Sequence, residues 1–140
     1  MAAMSTRESL EQYFKRYGES FRDGDQLAGF YGDCAMASTP AFVGCLKGSE
    51  EIRAALAGVA QGQIETGMTH LAPLKVEATD FDPLHCWAKV RWGAHFEKTK
   101  DRLVEFDISY LLRLSGDRYQ ILIYVAHQDE QAMRQELGLA

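Results

Sequence analysis

An α+β fold, with N-terminal helices packed in a strongly curved antiparallel sheet, is the architecture that the sequence predicts. Apolar residues recur at helical spacing in the first half of the chain and at a period of two beyond residue 67. Helices followed by strands are typical of α+β rather than βαβ proteins. The segment LVEFDISYLLRLSGDRYQILIYVAH, at 103–127, carries apolar residues on both faces of two strands, so both sides of the sheet must be covered. We therefore expect a cavity on one side and a second subunit on the other.

Size and charge exclude several classes of protein. The 140 residues, 46% of them hydrophobic, indicate a single domain, 1–140, with a core of its own. A net charge of −5 without a basic run argues against binding to nucleic acid. The longest apolar run, ILIYVA, has six residues, so no membrane span or signal peptide is expected. Three cysteines without a CxxC pair predict free, mostly buried thiols and a cytoplasmic location.

The first helix is predicted from a capping box at Ser5 and Glu8. A single inward stripe follows it at helical spacing, and it is unusually aromatic: Leu10, Tyr13, Phe14, Tyr17 and Phe21. The segment Arg22–Asp25 breaks this helix. A short second helix is expected around Gln26–Tyr31, ending near Gly32.

The next elements follow from turn residues and periodicity. Residues 34–48 predict a short strand and a loop, and Ser49 predicts the N-cap of a third helix that ends between Gly62 and Gly67. Period-two segments then predict strands at about 68–80, 85–97, 103–114 and 119–128. Asp129 could cap a terminal helix that carries Met133 and Leu137.

Two stretches carry a family resemblance: FRDGDQLAGFYGDCAMASTPAFVGCLKGSEEIRAAL at 21–56 and FDISYLLRLSGDRYQILIYVAH at 106–127. They resemble the NTF2-like superfamily, and within it the SnoaL-like and ketosteroid-isomerase-like proteins. The resemblance implies a cystatin-like cone, in which the bent sheet wraps the helices and leaves a pocket at one end. It also implies a homodimer through the convex sheet face. We expect four residues on that face: Leu111, Ile121, Ile123 and Val125.

The same resemblance implies positions for catalytic groups. Ketosteroid isomerase holds its catalytic aspartate before a proline, and here Thr39 precedes Pro40; a threonine hydroxyl cannot abstract a carbon-bound proton as a carboxylate does. Tyr17 and Tyr110 stand in the places of the family's two oxyanion donors. Two phenols in an apolar cavity could polarise a carbonyl, or they could be core aromatics with satisfied hydroxyls. Polyketide-cyclase-like members have an acid–base cluster on the last strand, where this chain has Tyr124 and His127.

The strand faces give a further catalytic candidate. Alternation places Val90, Trp92, Ala94 and Phe96 on one face and Lys89, Arg91 and His95 on the other. In the next strand Val104, Phe106, Ile108, Tyr110 and Leu112 share a face, opposite Glu105, Asp107 and Ser109. We assign the aromatic faces to the cavity. A bulge would instead bring His95 and Asp107 inside as a general base; otherwise they form polar pairs with Arg91 at the dimer surface.

Two functions remain open. The first is a pocket for a small, largely apolar molecule, with enolate-type isomerisation, dehydration or cyclisation as the chemistry if it is catalytic. The second is a non-catalytic protein-interaction or scaffold module whose cone is filled by side chains. The four histidines have no metal-ligand spacing, so neither a metal nor a cofactor is expected. The predicted ligand-binding residues are Phe14, Tyr17, Thr39, Phe42, Trp92, Phe106, Tyr110 and Tyr124.

Overall fold

A computed structural model describes residues 6–100 and 102–139 of the chain. The capping box predicted at Ser5 and Glu8 lies outside the described residues and side chains. The helices are α1 (Thr6–Glu19), α2 (Gly24–Ala28), α3 (Gly48–Glu65) and α4 (Glu130–Glu136). The strands are β1 (Tyr31–Ser38), β2 (Val43–Lys47), β3 (Met68–Asp80), β4 (His85–Phe96), β5 (Val104–Ser115) and β6 (Arg118–Ala126).

One curved, open sheet of six strands, in the order β2-β1-β6-β5-β4-β3, confirms the predicted α+β fold class. Neighbouring strands are antiparallel except β1 and β6, which are parallel. The predicted antiparallel sheet thus contains one parallel pair, β1 with β6. Because β1 and β6 are separated by α3 and four strands, no hairpin turn constrains their relative direction.

The helical stripe on α1 forms the centre of the core. Leu10, Tyr13, Phe14, Tyr17 and Phe21 are all buried, as predicted. They pack with the apolar inner faces of β4 and β5, which the alternation predicted correctly and which are also buried: Val90, Trp92, Ala94, Phe96, Val104, Phe106, Ile108, Tyr110 and Leu112. The helix lies so close to β3 that a Cβ at Gly18 would be 2.6 Å from the Leu71 carbonyl oxygen. A glycine is therefore required at that position.

The register of β5 and β6 corrects the predicted convex face. Ile121 pairs with Leu112 and Ile123 pairs with Leu111, so Leu122 is an extra residue in β6. A bulge of one residue moves all later side chains to the opposite face. Ile121 is consequently fully buried on the inner face, while Ile123 lies half-buried on the outer face. The prediction that Ile121 belongs to the convex face is wrong.

The segment between α1 and α3 contains more strand than predicted. The Asp23 side chain accepts a 3.1 Å hydrogen bond from the Gln26 backbone N–H, so the second helix begins at Gly24 and ends before Tyr31, which begins β1. Thr39 Oγ1 accepts hydrogen bonds of 3.1 Å from the backbone N–H groups of Ala41 and Phe42. This turn joins β1 to β2, where a strand and a loop were predicted.

Two cap predictions have different outcomes. Ser49 is not the N-cap of α3, which begins one residue earlier at Gly48 with φ of +86°, a value that favours glycine. Asp129 does cap α4, because its Oδ1 accepts a 3.1 Å hydrogen bond from the Ala132 N–H.

The free thiols are less buried than predicted. Cys86 is buried, but Cys34 and Cys45 are exposed because they lie on the outer face of the β1–β2 hairpin.

Candidate functional site

An open cavity of about 540 Å³ lies between the β1–β2 hairpin, α3 and α4. Its wall is mainly apolar, because the inner faces of β1 and β2 and one side of α3 carry small and aliphatic residues. The apolar lining includes Ala35, Ala37, Phe42, Leu46, Ala55, Leu56 and Val59. The polar lining consists of Tyr31, Thr39, Tyr124, Asp129, Glu130 and Arg134. An apolar wall with a few polar groups is the usual composition of a small-molecule site.

Glu130 connects the cavity to the last strand and the terminal helix. The Tyr124 hydroxyl on β6 donates a 2.9 Å hydrogen bond to Glu130 Oε1. Asp129 caps α4 and thereby fixes Glu130 in the first helical turn. On the other side, Arg134 Nη2 is 3.9 Å from Glu130 Oε2, one turn further along the helix. The carboxylate is therefore held at the edge of the cavity by groups from two elements.

A second pair of hydroxyls joins the cavity wall to the core behind it. Tyr17 Oη and Tyr31 Oη are 2.7 Å apart, and either can be the donor. Tyr31 lines the cavity, whereas Tyr17 on α1 is buried behind it. The pair therefore connects the cavity to the aromatic interior of the cone.

Burial keeps these phenols protonated. It raises the pKa of Tyr17 to about 12, and it raises the pKa values of Tyr31, Tyr110 and Tyr124 well above the ordinary tyrosine value. The negative charge of Glu130 adds to the rise for Tyr17, Tyr110 and Tyr124. All four hydroxyls can thus donate or accept hydrogen bonds at neutral pH, but none is an anionic base.

The inner part of the cone is filled by packed aromatic rings. Trp92 Nε1 donates a 3.1 Å hydrogen bond to Tyr110 Oη, and both residues are almost completely buried. The Phe14 ring lies 4.7 Å from the Tyr110 ring, and the Tyr17 ring lies 5.7 Å from the Trp92 ring. The cavity therefore occupies the outer part of the cone only.

The predicted ligand-binding residues fall into two groups. Thr39, Phe42 and Tyr124 line the cavity. The remaining five are buried in the core and do not line it: Phe14, Tyr17, Trp92, Phe106 and Tyr110. Of these, Tyr17 is connected to the lining through its contact with Tyr31.

His95 and Asp107 lie outside the cavity and do not form a pair. Asp107 is on the outer face of β5, where its Oδ2 is 3.3 Å from Arg91 Nη1. The His95 ring lies 6.0 Å from the ring of His70 on β3. Arg91 and Asp107 therefore form a polar pair on the convex face, which was the alternative to an internal base. Among the described residues, His95 and Asp107 do not form that base.

Tyr31 and Glu130 were not among the residues predicted from the sequence. Tyr31 fell at the predicted end of the second helix, where its direction could not be assigned. Glu130 directly follows the predicted cap Asp129, so the sequence does indicate that Glu130 lies in the first turn of the helix. Nothing in the sequence indicates that this turn faces a cavity, because that depends on how α4 packs against the sheet.

Other surface features do not suggest a comparable site. A depression of about 750 Å³ lies between α1 and the β5–β6 turn, and its lining includes charged residues of both signs: Arg16, Glu19, Asp117 and Arg118. Within residues 6–100 and 102–139, no cluster of three or more His, Cys, Asp or Glu side chains could hold a metal ion. In the same part of the chain, no helix is long and apolar enough to cross a membrane.

A curved sheet wrapped around an aromatic helix, with a cavity at its open end, defines a cone-shaped α+β protein of the cystatin-like class. Residues 7–129 match the protein family described as NTF2-like protein (DUF6841). The chain therefore belongs to this NTF2-like family, which confirms the resemblance found in the sequence. No curated protein matches the chain significantly.

Solved structures share the fold at low sequence identity. A domain of unknown function with a cystatin-like fold from Nostoc punctiforme has a TM-score of 0.69 and 16% identity, over 96% of this chain and 86% of that one. An NTF2-like protein from Novosphingobium aromaticivorans has a TM-score of 0.68 and 15% identity, over 94% and 87%. A ketosteroid isomerase-like protein from Erwinia carotovora atroseptica has a TM-score of 0.58 and 13% identity, over 85% and 91%. These similarities concern the fold alone.

Proposed function

We propose that this protein binds a small, largely apolar molecule in the cavity between the β1–β2 hairpin, α3 and α4. The observation that supports this most is an apolar wall that meets Tyr31, Tyr124 and Glu130 at one end. The cavity volume of about 540 Å³ lies within the range that ligand sites commonly have. An apolar molecule would gain its affinity from the wall, and its polar group would be oriented by the hydroxyls and the carboxylate.

If the protein is an enzyme, its chemistry is an isomerisation, dehydration or cyclisation through an enolate. Such a step needs a base for a carbon-bound proton and a donor for the oxygen that becomes negative. Glu130 is the carboxylate available for the proton, and the neutral hydroxyl of Tyr31 is available for the oxygen. Neither step requires a cofactor. Deuterium exchange into an aromatic ketone, slowed by Glu130→Gln, would test this extension.

A protein-interaction module is the alternative function. Two observations favour it: the inner cone is filled by aromatic rings, and two large apolar side chains are exposed at the rim, Phe42 at 60% and Val43 at 71%. In this case the cavity would be a by-product of the curved sheet. The two proposals differ in whether small molecules stabilise the fold.

We also propose that the protein forms a homodimer through the convex face of the sheet and that it is located in the cytoplasm. The dimer is supported by Leu111, Ile123 and Val125, which lie half-buried on the face opposite the buried side chains of β5. The cytoplasmic location is supported by three free cysteines, which are typical of a reducing compartment.

A thermal-shift screen with a cavity-filling variant tests the binding proposal. Gly58 lines the cavity from α3, and a Cβ placed on it meets no atom within 4 Å, so Gly58→Phe can fill the space without a backbone clash. Ala54→Phe, on an exposed position of the same helix, is the matched control. A screen of aromatic ketones, steroids, polyketide fragments and fatty acids should give ligands that raise Tm for wild type and Ala54→Phe but not for Gly58→Phe. At a hundred times Kd, a ligand adds about 2.7 kcal/mol of stability.

Two results would count against binding in this cavity. A ligand that raises Tm equally in all three proteins binds elsewhere. No stabilising ligand across the whole library would favour the interaction module.

A further inference from the structure

We infer that the polar end of the cavity selects a neutral hydroxyl group on the ligand, so that alcohols and phenols bind more tightly than ethers, ketones or ions of the same shape. This inference rests on the proposed function, because it specifies the ligand of the same cavity. It follows from counting the hydrogen-bond donors and acceptors that Tyr31 and Glu130 present there.

The tyrosine pair has one donor to spare. Tyr17 and Tyr31 carry two O–H groups, and the 2.7 Å contact between their oxygens uses one of them. Among the described residues, no acceptor takes the other. If Tyr17 donates to Tyr31, the O–H of Tyr31 remains free at the cavity wall. Donation from Tyr17 also polarises that O–H and strengthens the next hydrogen bond in the chain.

The carboxylate of Glu130 has acceptor capacity to spare. An ionised carboxylate offers about four lone-pair sites. The Tyr124 hydroxyl uses one site on Oε1. The separation of 3.9 Å between Oε2 and Arg134 Nη2 is too long for a hydrogen bond. Glu130 can therefore accept a hydrogen bond from a ligand while it keeps its bond to Tyr124.

The free donor and the free acceptor line the same cavity. Tyr31, Tyr124 and Glu130 all belong to its polar lining, and the Tyr124 hydroxyl is bonded to Glu130. A ligand hydroxyl placed there accepts from Tyr31 and donates to Glu130, so it satisfies both groups. Among hydroxyl, ether, ketone, ammonium and carboxylate groups, only the hydroxyl does both.

Each alternative polar group fails in one respect. An ether or ketone oxygen accepts from Tyr31 but leaves Glu130 without a donor. An ammonium group donates to Glu130 but offers Tyr31 no acceptor. A carboxylate on the ligand would meet two negative charges, those of Glu130 and Asp129, against the single positive charge of Arg134 in the same lining.

A series of four indanes, substituted at the middle carbon of the five-membered ring, tests this selectivity on one apolar body. The probes are indanol, methoxyindane, aminoindane as its ammonium ion, and indane carboxylate, and Kd is measured by calorimetry or NMR titration. Wild type should bind indanol about tenfold more tightly than methoxyindane, because a hydrogen bond to a charged group is lost. The carboxylate should bind most weakly.

Two variants on α4 show whether Glu130 causes the preference for indanol. Glu130→Gln should reduce the preference for indanol over methoxyindane to about threefold or less and should lessen the discrimination against the carboxylate, because the charged acceptor is gone. Glu136→Gln removes an exposed carboxylate of the same helix that does not line the cavity, and it should keep the wild-type order.

The outcomes separate this inference from the proposed function. Equal binding of indanol and methoxyindane, with loss of both in Gly58→Phe, would overturn the hydroxyl inference and leave the binding cavity intact. If aminoindane bound most tightly, the hydroxyl inference would be wrong and the cavity would recognise a cation. Binding of none of the four probes would count against the inference and the binding cavity together.

Discussion

The Tyr124 hydroxyl donates a hydrogen bond of 2.9 Å to Glu130 Oε1, which links the last strand of the sheet to the first turn of the terminal helix. This link places a carboxylate at the edge of a mainly apolar cavity. It also makes α4 part of the site and not merely a C-terminal extension of the fold. The proposed ligand therefore contacts groups from both the sheet and the helix.

The bond between Tyr124 and Glu130 should be measurable as a coupling energy. Tyr124→Phe and Glu130→Ala each remove one partner, and each should lower the free energy of unfolding by about 1–2 kcal/mol. The double variant should lose less than the sum, because the second change removes a bond that is already broken. Urea unfolding of the four proteins gives the coupling. Strict additivity would show that the bond does not contribute in solution.

Tyr110→Phe should destabilise the fold although it removes a single oxygen atom. The ring keeps its packing against Phe14, but the buried N–H of Trp92 loses its acceptor. An unsatisfied buried donor costs about 1–3 kcal/mol. Chemical denaturation should show this loss with an unchanged m-value. A change below about 0.5 kcal/mol would mean that another acceptor replaces the hydroxyl.

The buried tyrosines should make the protein lose stability at alkaline pH. Tyr17 titrates near 12 in the folded protein and near 10.0 when unfolded, so between these values the folded state holds more protons. The free energy of unfolding should then be constant below 10.0 and fall above it, by up to about 1.4 kcal/mol per pH unit for this tyrosine. Tyr17→Phe should show a shallower fall. Equal slopes in wild type and variant would contradict the elevated pKa of Tyr17.

Ile121 and Ile123 should respond differently to the same substitution. Ile121→Ala leaves a cavity in the core, because this side chain is fully buried, and should cost about 2–5 kcal/mol. Ile123 lies on the outer face, so Ile123→Ala should lower the free energy of unfolding of the single chain much less. Ile123→Asp should convert the proposed dimer into a monomer at micromolar concentration, as measured by sedimentation. A wild-type protein that sediments only at 15.7 kDa would contradict the dimer.

The sequence predicted most of the sheet because its apolar pattern is strong and local. The strands after residue 67 end within about two residues of their predicted bounds, and the buried faces of β4 and β5 are correct. The face of Ile121 was predicted wrongly because a bulge changes the alternation without any composition signal. The parallel pairing of β1 with β6 depends on contacts between distant segments, which a local pattern does not contain.

The site was less predictable than the fold. Tyr124 and Thr39 were selected from the sequence, and both line the cavity. Tyr17 and Tyr110 were selected through the family resemblance, but in this chain the rings of Trp92 and Phe14 pack against them. Glu130 depends on the packing of α4, and its partner Tyr124 is six residues away on a strand. No helical or strand periodicity relates two such positions.

The central claim is that a small molecule binds in the cavity between the β1–β2 hairpin, α3 and α4. The most direct test is a two-dimensional NMR titration of the wild-type protein with indanol. The account predicts saturable shifts at Leu46, Ala55 and Tyr124, which line the cavity, and their absence in Gly58→Phe. Shifts confined to the surface around Arg16 and Arg118, or no shifts at all, would contradict it.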